Sequence, residues 1–167
     1  EAKGKYLESL AIREKLGDLH GMAQSYNNLA IVHFNHGEYE KSLDYNEKEL
    51  VLYKRMGNRR GIADSLDQIG TTTAEMGDHE RALDILNQSL VIKEELGDPR
   101  SLTIILGNLG MLNFLMGRYE ESARLQRRRV EIAQKLKYKR GLMRGLCQLA
   151  EVQVILGQFD EAETNVL

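Results

Sequence analysis

The stretch from Gly61 to Gly97, GIADSLDQIGTTTAEMGDHERALDILNQSLVIKEELG, decides the architecture because its pattern recurs along the chain every forty residues. At that shift two columns of glycine come into register: Gly37, Gly77, Gly117 and Gly157 in one, and Gly17, Gly57 and Gly97 in the other. A fixed period of roughly 20 to 50 residues is the signature of a protein built from stacked structural repeats. The sequence therefore predicts an extended repeat array rather than a single central core.

Composition narrows the class of protein. The chain has 167 residues, 42% of them hydrophobic, and a net charge of −2, so no general electrostatic attraction to nucleic acid or to an anionic membrane is expected. No apolar run approaches a membrane span, and no signal peptide is recognisable. A single cysteine fits a reducing compartment. These features predict a cytoplasmic protein with no nucleic-acid partner and no membrane association.

Apolar residues at helical spacing lie between the glycines and predict an all-α fold. The first helix of each repeat is predicted at about 19–36, 59–76, 99–116 and 139–156. Short breaks between helices favour antiparallel hairpins. We expect a single array over 1–167: an orphan second helix at 1–17, complete repeats at 18–57, 58–97 and 98–137, and a fourth repeat at 138–167 that is truncated in its second helix.

The junctions between repeats carry helix-end signals. Gly17 is suited to the left-handed residue after a helix, and Asp18 to the cap of the next helix. Gly57-Asn58 and Gly97-Asp98 repeat this pair, whereas the junction Lys137-Tyr138 has neither a glycine nor a capping residue. We expect the chain to turn there as well, but without the stabilisation that a glycine and a capping residue provide.

Two columns of small residues predict how the hairpins close. The small positions of the first helices are expected to face those of the second helices: Ala30, Gly70, Gly110 and Ala150 against Ser42, Ala82, Ser122 and Ala162. Small side chains on both sides allow two helix backbones to approach closely.

These columns resemble the tetratricopeptide repeat. The match rests on Leu29-Ala30, Gly37, Tyr39 and Ser42, with equivalents forty and eighty residues later. The period departs from the usual repeat of about 34 residues. The longer form is similar to the repeats of kinesin light chains, of the Pins/LGN spindle-orientation scaffolds and of many bacterial regulators. The resemblance implies a right-handed α-α superhelix (solenoid) whose inner groove is lined by the first helices.

Carrying over the family's groove positions gives a candidate peptide-binding site. Its residues are Gln24, Asn27, Asn28, Asp64, Asp67, Gln68, Asn108, Met111, Phe114, Arg144 and Gln148. One column, Asn28, Gln68, Asn108 and Gln148, keeps a side-chain amide in all four copies. An amide can both donate to and accept from the backbone of an extended peptide. The alternative is that these amides bond to one another or to water.

The chemistry of the predicted groove changes along the chain. Asp64, Asp67 and Glu75 make the second repeat acidic, whereas Met111 and Phe114 make the third apolar. A ligand matching both would carry a basic or N-terminal group beside one or two apolar anchors; alternatively, the apolar residues serve packing between repeats. The family's carboxylate clamp is not matched, because only Arg144 supplies a cation at a mapped position.

Catalytic and metal-binding patterns are not recognised. His33 and His36 lack the further ligands of a metal site, and Cys147 has no matched histidine and aspartate to activate it. We therefore expect no enzyme activity, no metal and no cofactor. The basic stretch from Arg124 to Arg140 is interpreted as a solvated outer face, with pairs such as Glu120–Arg124 at helical spacing.

The predicted function is that of a scaffold that binds a protein or peptide partner in an extended or helical conformation. The alternative is a ligand- or peptide-sensing module of a larger signalling or transcription regulator. Because both terminal repeats look incomplete, we expect a fragment of a longer array that associates head to tail. Leu7, Leu10 and Ile12 of one copy would dock beside Leu149 and Leu156 of the next.

Overall fold

The computed structural model describes residues 2–166 and, for side chains, residues 4–165. Within that range the chain forms nine α-helices: α1 (Ala2–Leu16), α2 (Leu19–Asn35), α3 (Tyr39–Arg55), α4 (Arg59–Glu75), α5 (His79–Leu96), α6 (Pro99–Leu115), α7 (Tyr119–Lys135), α8 (Lys139–Ile155) and α9 (Phe159–Val166). The described residues contain no strand. The predicted all-α fold is confirmed, and the four first helices end one residue before the predicted positions.

The chain divides into two compact units, Glu1–Ile92 and Lys93–Leu167. In the first unit α1 packs on α2, α2 on α3, and α3 on α4. In the second unit α6 packs on α7, α7 on α8, and α8 on α9, while α6 also touches α8. In each unit, therefore, one second helix (α3 or α7) packs on the first helices that precede and follow it. None of the described helices is long and apolar enough to cross a membrane.

The repeated glycines have the conformation that the sequence predicts. All seven glycines of the two columns have a positive φ between 62° and 87°. Asp18 and Asn58 each accept a hydrogen bond from the backbone N–H three residues later, and Asp98 accepts one from Arg100 N–H. At the remaining junction Lys137 itself takes a φ of 52°, and Tyr138 makes no side-chain capping bond. This junction keeps the turn without glycine or cap.

Replacing Lys137 with glycine should stabilise the protein by about 0.5–1 kcal/mol, because a left-handed residue with a Cβ is strained and glycine is not. The change is measured as the midpoint and slope of urea unfolding. Glu131→Gly, six residues earlier at an exposed position inside α7, is the matched control. It should destabilise by about 1 kcal/mol, because glycine is unfavourable in a helix interior. A loss of stability in Lys137→Gly would contradict the assigned strain.

The small columns lie where the hairpins close. In the first unit Ala30, Ser42 and Ala82 are all at most 1% exposed. A Cβ added to Gly70 of α4 would lie 2.7 Å from side-chain atoms of Leu86 on α5, so glycine permits this close packing. In the second unit the Ser122 hydroxyl donates to the Gly110 carbonyl at 2.8 Å. The predicted facing of positions 110 and 122 is therefore confirmed by a direct bond.

The expected docking face for self-association needs correction. Leu10 is 8% exposed and Leu149 is 4% exposed, so neither side chain offers a free surface to another copy. Leu149 packs with Ala123, Val130 and Val152 in the core of the second unit. The reason is the tertiary packing: each leucine lies on the side of its helix that its own neighbour covers. Head-to-tail association stays a prediction without these two residues.

Candidate functional site

The first unit contains a pocket of about 360 Å³ between α2, α3 and α4. Its walls are Gln24, Asn27, Asn28, Glu49, Tyr53, Gly61 and Asp64. Four of these residues (Gln24, Asn27, Asn28 and Asp64) are predicted site residues, and all four come from first helices. Glu49 and Tyr53 come from the second helix, α3.

Glu49 is a buried carboxyl in the wall of this pocket. Its side chain is 2% exposed, and Asn27 donates an Nδ2–H to its Oε1 at 3.3 Å. Its Oε2 has no hydrogen-bond partner among the described residues. Burial raises the pKa of Glu49 to about 7; the nearby Ser65 hydroxyl and the hydrogen bond from Asn27 oppose this rise, and the charge of Asp64 adds to it. Near neutral pH this group therefore gains or loses a proton readily.

Two residues of the same pocket show why its wall has this shape. A Cβ at Gly61 would overlap the ring of Tyr53, so glycine lets the tyrosine lie against the first turn of α4. Burial raises the pKa of Tyr53, as does the charge of Glu49. The pocket thus combines amides from α2 with acidic side chains from α3 and α4.

The second unit has a larger pocket of about 490 Å³ between α6, α7 and α8. Its walls are Thr103, Ile104, Gly107, Asn108, Met111, Arg129, Tyr138, Gly141, Met143, Arg144, Cys147 and Gln148. Four of these (Asn108, Met111, Arg144 and Gln148) are predicted site residues. Exposed apolar side chains occupy part of the wall: Ile104, Met111 and Met143 are 38–62% exposed.

Arg129 is the residue of this pocket that the sequence interpretation misses. It is 8% exposed, and its Nη1 donates to the side-chain oxygens of Gln126 and Gln148. Burial, together with the charge of Arg144, lowers the pKa of Arg129. The prediction that the whole basic stretch is a solvated face is wrong for this residue, because α7 lies between α6 and α8 and turns Arg129 inward. The forty-residue register, which aligns Arg129 with Glu49, is the signal that could have found it.

The other arginines of α7 do lie at the surface, but with partners other than those predicted. Arg124 pairs with Glu121 at 2.6 Å, Arg127 with Glu161 at 3.3 Å, and Arg128 with Glu94 at 2.7 Å. The expected partner of Arg124 at helical spacing, Glu120, is replaced by the residue one position later. These are exposed ion pairs, each of which contributes little stability.

Three predicted site residues lie outside the two pockets described above. Asp67 is only 7% exposed, Gln68 is half-buried, and the Phe114 ring packs edge-on against Tyr119 with centroids 5.6 Å apart. Phe114 also packs against the core of the second unit, which matches the packing alternative for the apolar groove residues.

The two histidines considered as metal ligands have structural contacts. His33 is 3% exposed, stacks on Tyr45 with centroids 5.4 Å apart, and bonds to Glu38. His36 contacts the carbonyl of Val32 through Nδ1 at 2.6 Å. In the side chains that the structure describes, no group of three or more histidine, cysteine, aspartate or glutamate residues is arranged to hold a metal ion.

The fold and its sequence columns agree with a known family. The family model for the tetratricopeptide repeat matches residues 21–95 and 101–166. The chain belongs to the tetratricopeptide repeat family. A comparison with curated proteins finds no significant match.

Solved structures with the same fold include several repeat proteins. BtubC (BKLC) from P. vanneervenii is 20% identical with a TM-score of 0.86, over 96% of this chain and 67% of that one. A putative kinesin light chain repeat protein from Podospora anserina is 17% identical with a TM-score of 0.79, over 98% and 81%. A Rap protein complexed with competence and sporulation factor is 15% identical with a TM-score of 0.76, over 96% and 50%. At these identities the likeness shows the fold alone.

Proposed function

We propose that this tetratricopeptide repeat chain is a non-catalytic interaction scaffold that binds a partner protein through an extended or helical peptide segment. The peptide lies against the first helices. The single observation that carries this proposal is the arrangement of the amide column: Asn28, Gln68, Asn108 and Gln148 are all half-buried. A half-buried side chain is accessible to a ligand, and its packed neighbours restrict its conformation.

The amides differ in what they already bond to. The amide of Gln148 accepts a hydrogen bond from Arg129, whereas Asn28 and Gln68 present half-buried side-chain amides on α2 and α4. They are therefore available to donate to and accept from a peptide backbone. Asn28 lies in a pocket wall beside Gln24 and Asn27, so three amides converge there. Backbone hydrogen bonds of this kind contribute affinity with little demand on the peptide's side chains.

Selection from a displayed random-peptide library, followed by anisotropy titration of the selected peptide, tests the proposal. A dissociation constant near 1 μM, about −8 kcal/mol, is expected. The triple variant Asn28→Ala, Gln68→Ala, Asn108→Ala should bind at least about tenfold more weakly, because about 1 kcal/mol is lost with each hydrogen bond. The same peptide with methylated backbone nitrogens should lose affinity for the unmodified chain, because it lacks the N–H donors.

The matched control is Asn87→Ala with Gln88→Ala, which removes two exposed amides of α5. It should leave the affinity unchanged. A triple variant that stays folded and binds as tightly as the original chain would reject the amide column as the site. Equal loss in the control variant would show that the effect is not specific to the first helices.

A further inference from the structure

The pocket of the first unit (the first pocket) has an acidic wall. Its described wall contains two carboxyl groups, Glu49 of α3 and Asp64 of α4, and no lysine or arginine. The other polar side chains of this wall, three amides of α2 and the phenol of Tyr53, are neutral near pH 7. Ionisation of Glu49 therefore places a second negative charge in a wall that offers it no cation.

Glu49 is the carboxyl for which ionisation is costly. It is 2% exposed, whereas Asp64 is exposed. Its Oε1 accepts a hydrogen bond from Asn27 at 3.3 Å, and its Oε2 has no partner among the described residues. Burying an ionised carboxyl costs free energy unless hydrogen bonds or an opposite charge compensate for the lost water. This geometry favours the protonated form, in agreement with a pKa that burial raises to about 7.

The repeat itself does not need a carboxyl at this position. Forty residues later, Ser89 occupies the position of Glu49 and donates a hydrogen bond to the Ala63 carbonyl at 2.7 Å. Eighty residues later, the position is occupied by Arg129. The buried carboxyl is therefore a property of the first pocket rather than a requirement of repeat packing.

We propose that peptide binding at the first pocket is coupled to uptake of a proton by Glu49, so that pH regulates the affinity of the scaffold. This inference rests on the proposed function and concerns a peptide segment that is uncharged where it covers the pocket. Such a segment excludes water but supplies no cation, so it penalises the ionised carboxyl further. Protonated Glu49 both donates and accepts hydrogen bonds, as the amides of Asn27 and Asn28 do. The wall around it then presents neutral hydrogen-bonding groups to a peptide backbone.

Other titratable groups near Glu49 have to be separated from it. Helices α2 and α4 pack against α3. Asp64 of α4 acts on Glu49 through its charge, and Tyr53 of α3 lines the same pocket. On α2 the nearest such group to the pocket wall is the exposed His20, whose Nε2 lies 3.1 Å from Nε2 of the wall residue Gln24. Because histidines as a class titrate near neutral pH, His20 is the alternative source of a pH-dependent affinity.

A peptide without titratable groups assigns any pH dependence to the protein. This probe is selected at pH 6 from a displayed library whose random positions exclude Asp, Glu, His, Cys, Tyr, Lys and Arg, and it is synthesised with acetyl and amide ends. Isothermal titration calorimetry measures its dissociation constant at pH 6 and pH 8. We expect binding about tenfold weaker at pH 8, because the complex keeps Glu49 protonated there and the free chain does not. Titrations in two buffers of different ionisation enthalpy should show uptake of about one proton per peptide at pH 8.

Glu49→Gln should remove this dependence, because glutamine stays neutral at both pH values. Its affinity at pH 8 should match that of the unmodified chain at pH 6, without proton uptake. Glu47→Gln, at an exposed position of the same helix, and His20→Gln should both keep the dependence. A second measurement needs no variant: the ¹³C resonance of the Glu49 carboxyl should titrate at a higher pH in the peptide-saturated chain than in the free chain.

Four results would overturn the inference: equal affinity of the unmodified chain at pH 6 and pH 8, a dependence that persists in Glu49→Gln, its loss in His20→Gln, or a carboxyl titration that moves to lower pH on saturation. Failure of the proposed function looks different. In that case no peptide depends on the amide column at either pH, and the coupling to Glu49 falls with it. A peptide that depends on the amide column but binds equally at both pH values preserves the proposed function and rejects only its regulation by Glu49.

Discussion

Ala82→Arg is expected to unfold most of the chain at 37 °C. Ala82 is 0% exposed and lies on α5 in the small-residue column that closes the hairpins. An arginine there has no space, so it adds overpacking to the cost of removing a charge from water. Together these effects cost more than about 4 kcal/mol, against a total stability of roughly 5–15 kcal/mol for an ordinary domain. Thermal melts followed by far-ultraviolet circular dichroism measure the loss.

The control is Asn87→Arg, which places the same side chain at an exposed position of the same helix. Exposed substitutions of this kind change stability by about 0.5 kcal/mol or less. The melting midpoint should therefore stay close to that of the unmodified chain. Equal midpoints for the two variants would mean that the small column does not form the close helix contact.

Glu49→Gln is expected to stabilise the protein strongly at high pH and hardly at all at low pH. Burial raises the pKa of Glu49 in the folded chain to about 7, whereas its ordinary value is 4.5. The stability contribution of the protonated form is fully present below pH 4.5 and is lost as the pH rises to about 7. A shift of this size corresponds to about 3 kcal/mol. Glutamine resembles the protonated carboxyl and has no proton to lose. The variant therefore keeps this stability contribution at high pH.

Urea unfolding at pH 5 and pH 8 gives the comparison. At pH 8 the Glu49→Gln variant should be about 2–3 kcal/mol more stable than the unmodified chain, and at pH 5 the difference should fall below about 1 kcal/mol. Glu47→Gln is the matched control because Glu47 is exposed on the same helix. Its effect should be small and nearly independent of pH. A stability difference for Glu49→Gln that does not change between the two pH values would contradict the raised pKa.

Most of the fold follows from local sequence signals. Glycine is the residue best suited to a left-handed backbone conformation, so the two glycine columns mark the helix ends. Lys137 shows the limit of this reasoning, because the same turn forms there without glycine. Its neighbours α7 and α8 pack on each other and hold the turn despite its local strain.

The candidate site was predictable to a smaller extent. The family pattern assigns groove positions on the first helices to residues of this chain, and eight of the residues predicted in this way line the two pockets. Asp67 and Phe114 do not follow the expectation of an open groove, because neighbouring helices cover them. The buried charges in the walls of the two pockets, Glu49 and Arg129, are absent from the prediction because both lie on second helices.

The sequence by itself determined the period, the helices, their ends and the small contacts that close each hairpin, since all of these depend on residues close in the chain or in fixed register. Tertiary structure decided which charges are buried. In the single sequence of α7, Arg128 and Arg129 look alike as neighbours in a basic run. One pairs with Glu94 at the surface and the other lies between helices, because burial depends on three packed helices rather than on the periodicity of one.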